Sequence, residues 1–120
     1  YKIMATKLEI KRGTIYAATL TITNEVTGAA FDITGMTVFF TVKQKVLPTD
    51  TTDATYIIKK NITVHSNPTA GQTTLSLTAT ETNVTAGTYV YDCKVYVSGT
   101  NSNTDSGICV IKEVVTQRTA

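Results

Sequence analysis

The chain is short of the residues from which most enzyme and metal sites are built. Its 120 residues include no tryptophan, one histidine, two cysteines and two prolines, and 17% of them are charged. A structural zinc site takes about four Cys or His ligands, more than His65, Cys93 and Cys109 can supply. A catalytic triad needs a histidine held between a hydroxyl and a carboxylate. His65 stands in the breaker-rich turn His65-Ser66-Asn67-Pro68, where a histidine reads as a solvated surface residue. No glycine-rich loop runs from a strand into a helix to cradle phosphates. The net charge is +2 and the lysines and arginines are scattered, so no basic track is offered to a nucleic-acid backbone and long-range steering should be weak. No apolar stretch approaches the ~18 residues of a membrane-spanning helix. The opening residues lack the apolar core of a signal peptide, which points to a reducing compartment. The expectation is a chain with no catalytic residues, no metal, no cofactor, and neither a nucleic-acid nor a membrane partner.

Threonine is abundant, with 26 residues, beside 12 valines, 10 isoleucines, 6 tyrosines and only 5 leucines. These β-branched and aromatic types suit a pleated surface, and a helical domain would show the reverse balance. Period-two alternation is plain in several segments. Ala18, Leu20 and Ile22 fall on one face, and Thr19, Thr21 and Thr23 on the other. Val38, Phe40 and Val42 oppose Thr37, Phe39 and Thr41, and Leu75 and Leu77 share a face. Tyr89, Tyr91, Cys93, Val95 and Val97 line another, and Cys109 and Ile111 point inward on the last strand. Strands are expected near 8–11, 14–24, 36–44, 55–64, 73–78, 88–97 and 105–115, with one helical turn at 79–83 and a polar hairpin loop at 98–104. About seven short strands with turns between them predict an all-β, antiparallel sandwich, with a small barrel as the alternative. Lys59 and Lys60 mark the fourth of these as a protected edge. Met4 reads as a natural start, so residues 1–7 are expected to form an N-terminal tail, 8–117 the domain and 118–120 a C-terminal tail.

Cys93 and Cys109 face each other across the last hairpin if its turn centres near Asn101. A bridge is then geometrically within reach, and two buried unbridged thiols are the expectation in a reducing compartment. Gly87-x-Tyr89 has the spacing of a tyrosine corner, in which the phenol bonds back to the backbone, and this makes the architecture Ig-like. Gly87, Tyr89, Cys93 and Cys109 are therefore expected to be structural. Asn61-Ile62-Thr63 and Asn83-Val84-Thr85 match the glycosylation pattern at the frequency that so many threonines produce. Asn101–Gly107 echoes the front half of a calcium loop but has Lys112 where the bidentate glutamate would stand.

Three segments resemble one family. Phe31-Asp32-Ile33-Thr34-Gly35-Met36-Thr37-Val38-Phe39-Phe40-Thr41-Val42-Lys43 is similar to a D-[IL]-T-G-x-T-V-x-F-x-V-K segment, Thr85-Ala86-Gly87-Thr88-Tyr89-Val90-Tyr91-Asp92 to x-A-G-T-Y-x-Y-D, and Ser106-Gly107-Ile108-Cys109-Val110-Ile111 to S-G-x-F-x-I. Together they resemble the Ig-like β-sandwich domain at the N-terminus of phage baseplate upper proteins and related short tail- or head-associated proteins, over roughly residues 8–117. The resemblance implies a non-enzymatic virion module, assembled in the host bacterial cytoplasm, whose partners are other phage structural proteins or further copies of itself. Phe39 and Tyr96, placed on solvent faces by alternation, and Leu8 and Ile10, on a less defended opening strand, are the candidate interface residues. The alternative is a carbohydrate- or host-surface-binding module using Tyr16, Tyr56, Tyr96 and the loop from Ser98 to Ser106.

Overall fold

Alternation of β-branched and polar residues gives every long segment one apolar face, and that face has to be covered. The computed structural model describes residues 2–3, 7–24, 26–44, 56–97 and 100–115. Eight strands form: β1 (Lys2–Ile3), β2 (Lys7–Lys11), β3 (Tyr16–Thr23), β4 (Thr37–Gln44), β5 (Ile58–Ile62), β6 (Gln72–Leu77), β7 (Gly87–Val97) and β8 (Thr100–Lys112). The only helical element among the described residues is a 3-10 turn at Pro68–Ala70. The fold is nearly all β. A five-stranded sheet has the order β2-β8-β7-β4-β5, and a smaller one the order β1-β3-β6. Both sheets contribute to a single apolar core, in which Leu20, Val38, Phe40, Leu75, Leu77, Tyr91 and Ile111 are all buried as their alternation requires.

The expected all-antiparallel arrangement is corrected at β2. This strand runs parallel to β8, with Leu8 opposite Cys109 and Ile10 opposite Ile111, so the larger sheet is mixed. Alternation tells which face of a strand is buried, not which neighbour it takes or in which direction. The expected tail is corrected as well. Lys2 and Ile3 pair with Thr23 and Ile22 of β3, and Lys7 opens β2. Residues 118–120 lie outside the described residues.

The last hairpin differs most from expectation. Val97 pairs with Thr100, and most of the expected polar loop is strand. A register shift between Cys93 and Lys94 sets Cys93 opposite Asp105 and Lys94 opposite Asn103. Cys109 consequently lies opposite Tyr89, not Cys93, and both cysteines are buried thiols outside any disulfide. The composition of 98–107 is that of a turn, but the eleven residues of β7 offer a continuous ladder, and backbone pairing prevails over composition.

The two sheets are also tied at their margins. On edge strand β5, Lys60 shares the inward parity of the buried Ile58 and Ile62, and its Nζ reaches Glu81 at 3.0 Å. A charge turned inward on an edge strand is a device that hinders pairing with other chains. Glu81 itself closes the expected helical turn as a capping box. Its carboxylate accepts the Thr78 N–H at 2.9 Å, and its own N–H donates to the Thr78 hydroxyl at 3.1 Å.

Candidate functional site

The reactive side chains are used internally. His65 lies half-buried in the segment linking β5 to β6. Its Nε2–H donates to the Met36 carbonyl at 2.6 Å, so Nδ1 is the nitrogen that accepts the hydroxyl of the fully buried Thr73 at 2.9 Å. The expected solvated histidine is corrected: both ring nitrogens pin the crossing between the sheets. Cys109 has no exposed surface, and burial pushes its thiol up to about 11, so it stays protonated and unreactive near neutral pH. Burial, and then the nearby Cys109, raise the Tyr16 phenol. Asp32 is held below the usual carboxylate range by the hydroxyl and then the N–H of Thr34, which close a turn before β4. Glu81 is lowered by the Thr78 N–H first and by Lys60 second. Among the described residues no three His, Cys, Asp or Glu side chains converge in a way that could hold a metal ion.

Tyr89 makes the corner bond that its spacing suggests, its hydroxyl donating to the Thr85 carbonyl at 2.5 Å. Gly87 opens β7 against that ring, yet a Cβ there would sit at an ordinary 3.8 Å from the nearest ring carbon. The motif's tyrosine is therefore the exacting member, and its glycine is not.

The candidate interface residues separate into two groups. Leu8 and Ile10 belong to the core, only 5% and 0% exposed, so their side chains are corrected from contact residues to packing residues. What β2 offers outward is a backbone edge carrying Glu9 and Lys11. Phe39 and Tyr96 do lie on the outer face of the larger sheet, each half-buried, with ring centroids 5.7 Å apart and planes tilted by 46°. They form one aromatic pair and not two separate anchors. The three tyrosines of the carbohydrate reading share no platform. Tyr16 packs against the core from the smaller sheet, Tyr56 lies under Lys59 with Nζ 4.7 Å from the ring centroid, and Tyr96 is taken up by Phe39. The loop proposed with them is strand β8 from Thr100 onward.

The outer face of the larger sheet carries a feature that residue-by-residue reading misses. Across the strands, Phe39 lies beside Lys94, Thr41 beside Lys59 and Asp92, Lys43 beside Val90, and Val90 beside Ile108. Lys11 and Lys112 sit side by side at the β2 margin. On the strands β3 and β6 of the smaller sheet the outward positions are Ala17, Thr19, Thr21 and Thr23, and Gln72, Thr74 and Ser76, none of them charged, while Lys2 of β1 lies opposite Thr23. The lysines are distributed by strand parity, a signal visible in the sequence only once the strands are known to share a sheet. The chain matches no protein-family model and no curated protein.

Proposed function

We propose that this chain is a non-enzymatic assembly module of a phage virion, an Ig-like sandwich that works through protein–protein contacts. The observation that carries the reading is where the family-like segments fall. The Asp32–Lys43 segment supplies the turn and strand β4, and Thr85–Asp92 supplies the tyrosine corner and the start of β7, its neighbour in the sheet. The strand order supports the Ig-like assignment. In that reading β3 and β6 take the parts of B and E, β4, β7 and β8 those of C, F and G, and β5 that of an added C′. The chain also changes sheets between β1 and β2, as the opening strand of such domains does. A further support is negative in kind: His65 and Cys109, the side chains best suited to chemistry, are committed to the fold.

The test is co-expression with the products of the genes flanking its own, followed by sedimentation. The chain is expected to travel with assembled particles. A strict monomer in every combination, together with turnover of a substrate, overturns the reading.

A further inference from the structure

We infer that the outer face of the five-stranded sheet docks an acidic surface of another protein that also carries apolar side chains, an inference that rests on the assembly reading. The argument begins with how charge is divided. The chain as a whole carries only +2. Among the residues whose side chains are described, outward positions of the larger sheet hold five lysines, Lys11, Lys43, Lys59, Lys94 and Lys112, against two carboxylates, Glu9 and Asp92. Glu9 lies 3.5 Å from Lys112. Among the described residues no carboxylate is within ion-pair distance of Lys11, Lys59 or Lys94. Strands β3 and β6 of the smaller sheet show only hydroxyls, an amide and a methyl on their corresponding face.

Apolar side chains flank the middle of the lysine-bearing face, where Asp92 and Lys94 stand on the central strand β7. Ile108 is 47% exposed and adjoins Val90, while Phe39 and Tyr96 stack at the other end. Apolar patches set beside fixed charges let water exclusion and complementary charge act together. Five strands at ~4.8 Å spacing, along the length of β7, give a face on the order of 650 Å², close to the ~800 Å² each partner gives to a standard interface.

The charge selects the occupant. A second copy docked face to face about a two-fold axis would oppose lysine rim to lysine rim, and like-charge contacts are costly. A nucleic-acid backbone would meet the Asp92 carboxylate in the middle of the face, and none of the outward positions here is arginine. A protein surface carrying glutamates or aspartates beside apolar side chains meets both the lysines and the two apolar patches. The low net charge therefore conceals a local field, and contact at this face should depend on salt although steering of the whole chain is weak.

The probe is a synthetic twelve-residue peptide alternating glutamate with valine and phenylalanine, titrated into the isotopically labelled full chain and followed by amide NMR. Controls are the same peptide with lysine for glutamate, and a single-stranded DNA dodecamer. The expected result is shifts clustered at Phe39, Thr41, Val90, Lys94, Ile108 and Val110, an affinity that falls at least tenfold between 50 and 500 mM salt, and a further tenfold loss in Lys59→Glu/Lys94→Glu. Lys59→Gln/Lys94→Gln should give an intermediate loss with an unchanged spectrum, and Thr19→Glu on the opposite face should bind as the parent does. Absence of binding, shifts mapping elsewhere, equal binding of the lysine peptide, tighter binding of DNA, or a dimer formed through this face would each overturn the inference. Sedimentation of Lys59→Glu/Lys94→Glu with particles separates the two readings. If the variant assembles normally and the peptide does not bind, the face is wrong and the assembly reading stands. If the peptide binds this face but the chain never joins a particle, the assembly reading fails and the face remains.

Discussion

Tyr89 does two things with one side chain. Its ring closes the core at the start of β7, and its hydroxyl holds the Thr85 carbonyl where the chain passes between sheets. Tyr89→Phe keeps the ring and removes the bond. Urea denaturation should then read a loss of ~0.5–1.5 kcal/mol with the spectrum intact, and an unchanged midpoint would mean that the hydroxyl contributes nothing. Cys109 offers a prediction in pH. Its ordinary value of 9.0 is raised to about 11 because burial disfavours the thiolate. Between those two values the unfolded chain loses this proton and the folded chain keeps it. The contribution is thus fully present below pH 9 and is lost as pH rises toward 11, by on the order of 2–3 kcal/mol. Cys109→Ala should flatten stability over that window relative to the parent, and parallel profiles would refute the assignment.

At the scale of elements, the exacting position is Gly71, between the 3-10 turn and β6. Its φ of +71° is in the left-handed region, and a methyl there would overlap the carbonyl oxygens of Ile22 and Phe31. The backbone term alone costs about 1–2 kcal/mol for a residue with a Cβ, and the overlap adds to it. Gly71→Ala should therefore lower the thermal midpoint more than Gly28→Ala, where φ is also positive but the space is open. This contrast also marks what could be read from the sequence. Strands β3, β4, β6 and β7 were legible because an apolar face alternates with a more polar one along each of them. The aromatic pair Phe39–Tyr96 was legible by the same parity, though its mutual contact was not. Strand β8 was not legible from Thr100 to Asp105, since Ser, Asn, Thr and Asp there encode turns as readily as an exposed ladder. The bond from Thr73 to His65 was invisible because residues 65 and 73 come together only through the crossing between sheets.

For the molecule as a whole, the decisive contact joins the two ends of the domain. Ile10, with no exposed surface, packs opposite Ile111 across the parallel β2–β8 pair. Ile10→Ala should cost ~2–5 kcal/mol. Closing so long a loop delays this pairing in folding, so the loss should appear mainly as faster unfolding, with the folding rate nearly unchanged. Stopped-flow kinetics in urea decide it: equal effects on both limbs would place β2 in the folding nucleus instead. The resemblance and the lysine-bearing face both depend on this closure, because β2 supplies Lys11 and completes the sheet.

The parallel pairing of β2 with β8 has a mechanical consequence. Lys7 lies opposite Ile108 and Lys11 opposite Lys112, so a pull entering ahead of β2 and leaving beyond β8 acts along both strands in opposite senses. Every bond of that ladder is then loaded at once, in shear, instead of being opened one after another like a zipper. An antiparallel pair held at its open end would peel under far less tension. A domain closed in this way carries load along the common direction of β2 and β8.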